Sequence, residues 1–214
     1  MAMSNNRVAR FLALSLLCVA AVFLNRLSNL LLFHVMALPL FADSVFTAAV
    51  VFLAGLVPGL AVILIAWVFW LMTYGIMSPF IIVSIVEVII IWRLRPGGGS
   101  AGPGSRGTSA YAETVSTWGT LMLLYIATAV SASVLGGLVD YLVYARPESY
   151  RPGLPPDDVF RPAFYGSEIH QLAVSILSRV PINLVDRAAV VFGGYFIARG
   201  IRGLMDRLPF RRVF

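Results

Sequence analysis

Glu87 is the residue most at odds with its neighbours: it stands in FIIVSIVEVIIIW, between Val86 and Val88, with Ile89, Ile90 and Ile91 after it. A carboxylate held in hydrocarbon costs roughly 2.5–3.5 kcal/mol on insertion scales unless it is paired or faces water, so it points to an ion pair, a proton path or a ligand site. Three more carboxylates share that setting. Asp43 lies in LPLFADSVFTA, Asp140 near the end of the apolar run that begins at Val115, and Asp186 beside Arg187, three residues after Asn183. Gathered at one end of a helix bundle, such side chains would hold a small polar molecule, and free backbone N–H groups at helix starts would add donors for an anionic group. The plainer reading makes Asp and Asn helix caps, and makes Asp186 with Arg187, or Glu87 with an arginine, ion pairs that hold helices in register. Asp43 and Asn183 fit either reading and Asp140 fits a cap better. Mid-span Glu87 has no capping explanation and is read as lining a pocket.

Other chemistries find little support. There is no G-x-S-x-G, no H-E-x-x-H and no G-x-x-x-x-G-K-[ST], so neither a hydrolase site nor an ATPase engine is expected. Ser167 and His170 (GSEIH) stand within one helical turn, but without an orienting acid they are read as a chance pairing, and the chain is not expected to be an enzyme. His34 and His170 lack metal-ligand spacing, and the single Cys18 allows neither an intrachain disulfide nor a cysteine cluster. No metal or cofactor is expected. All sixteen basic residues are arginine, without the aromatic interleaving of an RNA or DNA surface, so no nucleic-acid partner is expected.

The elements that must position the carboxylates are membrane helices. Of 214 residues, 59% are hydrophobic and only 12% charged, where a soluble domain carries about a quarter. The apolar stretches, at about 20 residues per crossing, predict an all-α polytopic membrane protein with six transmembrane helices. Spans are expected at Arg7 to about Leu32, Leu40 to Leu56, Leu60 to Tyr74, 80–92, Val115 to Leu142 and Asn183 to Ile201, with Pro58-Gly59 breaking the second from the third. Ahead of the last, a short amphipathic helix is expected at about Ser167 to Ser178, divided from it by Pro181. A glycine, serine and proline linker at 95–110 separates a four-span part (7–94) from a two-span part (111–204) of one membrane domain. Residues 145–166 form a polar, proline-rich loop too wet to span. Ala129, Ser133 and Gly137 recur at helical spacing and would let another backbone approach closely.

The arginines give the orientation. With the N-terminus inside, ten arginines fall in inner segments and four in outer ones, which favours a plasma-membrane protein with both termini cytoplasmic. Asp43, Asp140, Asn183 and Asp186 then fall toward the outer end.

Two stretches resemble a known family. LPLFADSVFTAAVVFLAGLVPGLAVILIAWV is similar to the second and third helices of the substrate-binding S components of energy-coupling factor (ECF) transporters and their relatives, in which an "LD" pair opens a helix that ends in "GP-x-x-G". RVPINLVDRAAVVFGGYFIARGI resembles their last helix, which begins with "N-L-x-D-K". The resemblance covers about a third of the chain. It implies a subunit that captures a vitamin or other micronutrient from outside and docks onto a transmembrane coupling subunit with two ABC-type ATPases. It also implies docking through an alanine pair four apart on the first helix, which maps to Ala9 and Ala13. The leading expectation is therefore small-molecule capture through Asp43, Glu87, Asn183 and Asp186. The alternative is a sensory or scaffold module that uses the same bundle without transport.

Overall fold

The computed structural model describes residues 2–36, 43–74, 78–96, 110–144, 160–164 and 168–207. Among these the chain is helical throughout, without a strand: α1 Ala2–Asn29, α2 Val45–Ala54, α3 Leu56–Tyr74, α4 Ile81–Leu94, α5 Ala110–Tyr144, α6 Gln171–Leu177, α7 Val180–Ala188 and α8 Gly194–Arg207. A π-helical turn, Leu30–Val35, extends α1, a second, Ala189–Gly193, joins α7 to α8, and a 3-10 turn covers Arg161–Phe164.

Among the described residues, four stretches are long and apolar enough to cross a bilayer: Val8–Leu32, Leu56–Thr73, Val115–Val143 and the run Gln171–Arg207. The expected second and fourth spans are shorter. At 10 and 14 residues, α2 and α4 reach only about 15 and 21 Å at 1.5 Å per residue, against a hydrocarbon core of about 30 Å. Burial gives the physical reason for α2. Its six consecutive residues Thr47 to Phe52 are all buried, so the helix is enclosed on every side by α1, α3, α4 and α8. An enclosed helix needs no lipid-length apolar surface of its own.

The turn between α2 and α3 falls at Gly55 and not at Pro58-Gly59. Gly55 has φ +92°, a conformation open to glycine. Pro58 sits in the first turn of α3, where a missing N–H costs nothing. Gly59 serves packing instead: a Cβ there would come within 2.4 Å of the Val51 side chain. Close approach also explains Gly137, where a Cβ would lie 2.7 Å from the Ile176 backbone, and Gly194, where it would lie 2.8 Å from the Ala48 Cβ. The first of these contacts matches the small-residue face expected on α5. The core joins Ala48, Val51 and Phe52 of α2 to Val88 and Ile91 of α4, Leu121 and Leu124 of α5, and Val190 and Val191 of the π-turn.

The expected break before the last span lies at Ser178–Arg179, with Pro181 in the opening turn of α7. A short separate helix thus does precede it, over Gln171–Leu177. Linker residues 97–109, loop residues 145–159 and Ser167 lie outside the described residues.

Candidate functional site

Helix α7 is inside-out for a soluble protein. Its buried residues are Ile182, Asn183, Asp186 and Arg187, whereas Leu184 and Val185 are exposed. The spacing places both members of the Asp186-Arg187 pair on the inner face, as expected where the outer medium is lipid and polar groups must find partners within the bundle.

Arg187 is the hub of those partners. Its guanidinium forms an ion pair with Glu87 of α4 and another, at 2.6 Å, with Asp186 of its own helix. The same Nη1 donates to the Ser44 hydroxyl at 3.2 Å, and that hydroxyl also hydrogen-bonds Glu87. Asp186 is fully buried, and Glu87 and Arg187 nearly so. Asp43, exposed in the turn just before α2, lies within electrostatic range of Asp186, Arg187 and Glu87. Three carboxylates and one guanidinium from three distant parts of the chain thus meet in one place. Among the described residues, the buried Nε of Arg187 has no hydrogen-bond partner.

The start of α2 shows what this arrangement costs locally. Ser44 occupies the N-cap position but makes no side-chain capping bond, because its hydroxyl serves the charge cluster. Asn25 of α1 takes over: its Oδ1 accepts from the Phe46 N–H at 2.9 Å, and its Nδ2 donates to the Thr47 hydroxyl at 2.8 Å. A helix end thus gains from a neighbour the acceptor its own cap residue withholds.

The remaining sequence candidates lie apart from this hub. Asn183 donates to the Ser133 hydroxyl of α5 at 3.0 Å, which ties α7 to α5 one turn from the charge cluster. Asp140 belongs to a second network: it pairs with Arg161 at 2.5 Å and Arg179 at 3.5 Å. Arg161 also donates to Ser175, and Arg179 stacks over the Phe80 ring. That network pins the 3-10 turn and the α6–α7 corner onto α5. His170 caps α6, its Nδ1 accepting from the Leu172 N–H, and its ring lies against Tyr141. On α1, Ala9 is exposed and Ala13 half-buried.

The two cavities described lie away from the carboxylates. A small one between α5 and the α6–α7 corner includes Ser133, Ile176 and Leu184. A larger one, of about 840 Å³, sits where α2 ends and α3 begins and takes in Arg95, Arg199 and Arg202. Among the described residues no group of three or more His, Cys, Asp or Glu side chains could hold a metal ion. Sequence reasoning named Glu87 and Asp186 but missed Ser44 and Asn25, whose only signal was a serine at a helix start and an asparagine in an apolar span. It also missed the cavity, whose arginines were read only as topology signals.

The chain matches no protein-family model, no curated protein and no solved structure.

Proposed function

We propose that this chain is a membrane capture protein, like the S components it resembles, which takes a small micronutrient-like molecule from the outer side for uptake powered by partner ATPases. The observation that carries the reading is the convergence of Asp43, Glu87 and Asp186 on Arg187. Three carboxylates against one guanidinium leave the cluster net negative, a balance suited to a ligand that bears a positive charge. The unpartnered Arg187 Nε offers a donor to an acceptor on the same ligand. Asp43, being exposed, forms the mouth. A ligand enters by exchanging its own charges for those of the Glu87–Arg187 pair, so the site opens only to a molecule that can replace that pair. Ala9 and Ala13 would meet the coupling subunit, on a helical bundle that crosses the plasma membrane with both termini cytoplasmic.

The test is purification from native membranes in a gentle detergent, with mass spectrometry of retained small molecules and co-purifying proteins. The wild type should carry a small cationic or zwitterionic molecule and bring down a coupling subunit with ATPases. Glu87→Gln and Asp186→Asn should lose the molecule at least tenfold while folded yield stays within about twofold. Loss of yield in step with loss of the molecule, or retention unaffected by either variant, would return the cluster to a purely structural role.

A further inference from the structure

The larger cavity stands at the end of the bundle opposite the carboxylate cluster. Ser44, beside the cluster, and Ala54, on the cavity wall, are separated by the length of α2, about 15 Å. Three guanidinium groups from two elements converge there. Arg95 follows the last turn of α4, and Arg199 and Arg202 stand three apart on α8, so both of the latter face the same side of the helix. Arg202 donates to the backbone carbonyl of Phe52, an acceptor left free at the end of α2. Arg95 reaches the same turn from the other side, its Nη1 lying 3.3 Å from where a Cβ on Gly55 would be. Among the described residues none of the three pairs with a carboxylate. A lone arginine at a helix end is accounted for by membrane topology, but three converging on one concave space of about 840 Å³ are more than topology requires.

We propose that this cavity is an anion site that binds a phosphate group through Arg95 and Arg199, with Arg202 holding its floor. Guanidinium forks suit phosphate oxygens, which accept paired N–H donors. The walls fit an amphiphilic phosphate ester. Trp92 and Tyr195 line one side, and Val57, on the rim, is 76% exposed, so apolar surface runs outward from the charged centre. A basic recess between membrane helices near the interface is the setting in which anionic lipid headgroups are held. The same chemistry would take a soluble phosphate compound, and the two sources are separable by experiment. The site is independent of the capture function proposed above, since it shares no residue with it.

The full chain is placed in nanodiscs of phosphatidylcholine containing a minor fraction of phosphatidylglycerol, and lipids retained after detergent transfer are counted by native mass spectrometry. In parallel, inorganic pyrophosphate is titrated while tryptophan fluorescence is followed. Preferential retention of phosphatidylglycerol, reduced about fivefold by each of Arg95→Gln and Arg199→Gln but unchanged by Arg207→Gln, establishes a lipid headgroup site. Saturable pyrophosphate binding with the same arginine dependence and no lipid preference establishes a soluble ligand. Arg207 lies on α8 outside the cavity and controls for diffuse positive charge. Equal retention of the two lipids by the wild type together with no saturable pyrophosphate binding overturns the proposal. An effect of Arg207→Gln as large as that of Arg199→Gln overturns it also. The wild-type arm is decisive even where a variant folds poorly.

Discussion

At the residue scale, the behaviour of this protein turns on Arg187. Loss of one carboxylate leaves Arg187 paired with the other, whereas loss of the single guanidinium leaves two buried carboxylates uncompensated, at a cost of about 3–5 kcal/mol. Arg187→Met should therefore be strongly destabilising, since it strands Glu87 and Asp186 together. Adding Glu87→Gln and Asp186→Asn to it should recover much of the loss, because the charges are then removed as a group. Thermal unfolding in detergent, compared across the single and triple variants, checks this; a triple variant no better than the single one would mean that Arg187 acts through packing alone. How much of this was legible beforehand follows from chemistry. Glu87 was conspicuous because an acid amid isoleucines has no capping explanation, and the ion pair that the plainer reading offered it is present in the structure. Arg187 was named only as an ion-pair partner for Asp186, and the arginine that would meet Glu87 was left unspecified; the structure makes them one and the same. Asn183, chosen for its place at a helix start, proved to bond a serine on a different helix.

At the element scale, glycines and turns decide how close the helices come. Gly55 ends α2 at φ +92° and ψ −165°, a region essentially closed to other residues and worth about 1–3 kcal/mol of strain. Gly55→Ala should lower stability by about that amount, read as a drop in melting temperature, whereas Gly200→Ala, with nothing within 4 Å of the new Cβ, should be neutral or slightly stabilising. Equal effects of the two would refute the assignment of the turn. The sequence signalled a break near this point but placed it at Pro58-Gly59, because a Pro-Gly pair looks like punctuation. A proline in a first helical turn and a glycine under a valine both have other uses. The π-turn at Ala189–Gly193 could not be foreseen: an inserted residue in a helix has no compositional mark.

At the scale of the whole molecule, charge is sorted by end. The carboxylate cluster lies toward the start of α2, and Arg95, Arg199 and Arg202 lie around its far end. With the positive-inside bias, the cavity end should face the cytoplasm. Cysteine substitution on a Cys18→Ala background checks this: Arg202→Cys should react with an impermeant maleimide only in inside-out vesicles, and Glu168→Cys only in right-side-out ones. The reverse pattern, or both on one side, would undo the orientation. The helical class and the membrane setting were written in composition. The division between long lipid-facing helices and short enclosed ones was not, because an apolar run reads alike whether it borders lipid or other helices.

The enclosure of α2 bears on how the chain is made. A ten-residue helix with no lipid-facing side has little to gain from partitioning alone out of the translocon, so it should enter joined to α3, with Gly55 as the bend of a paired insertion unit. Its partner α8, against which Gly194 packs on Ala48, emerges more than a hundred residues later. Until then one flank of α2 stays uncovered, and the nascent protein must be sheltered or wait, half-built, for α8 to arrive.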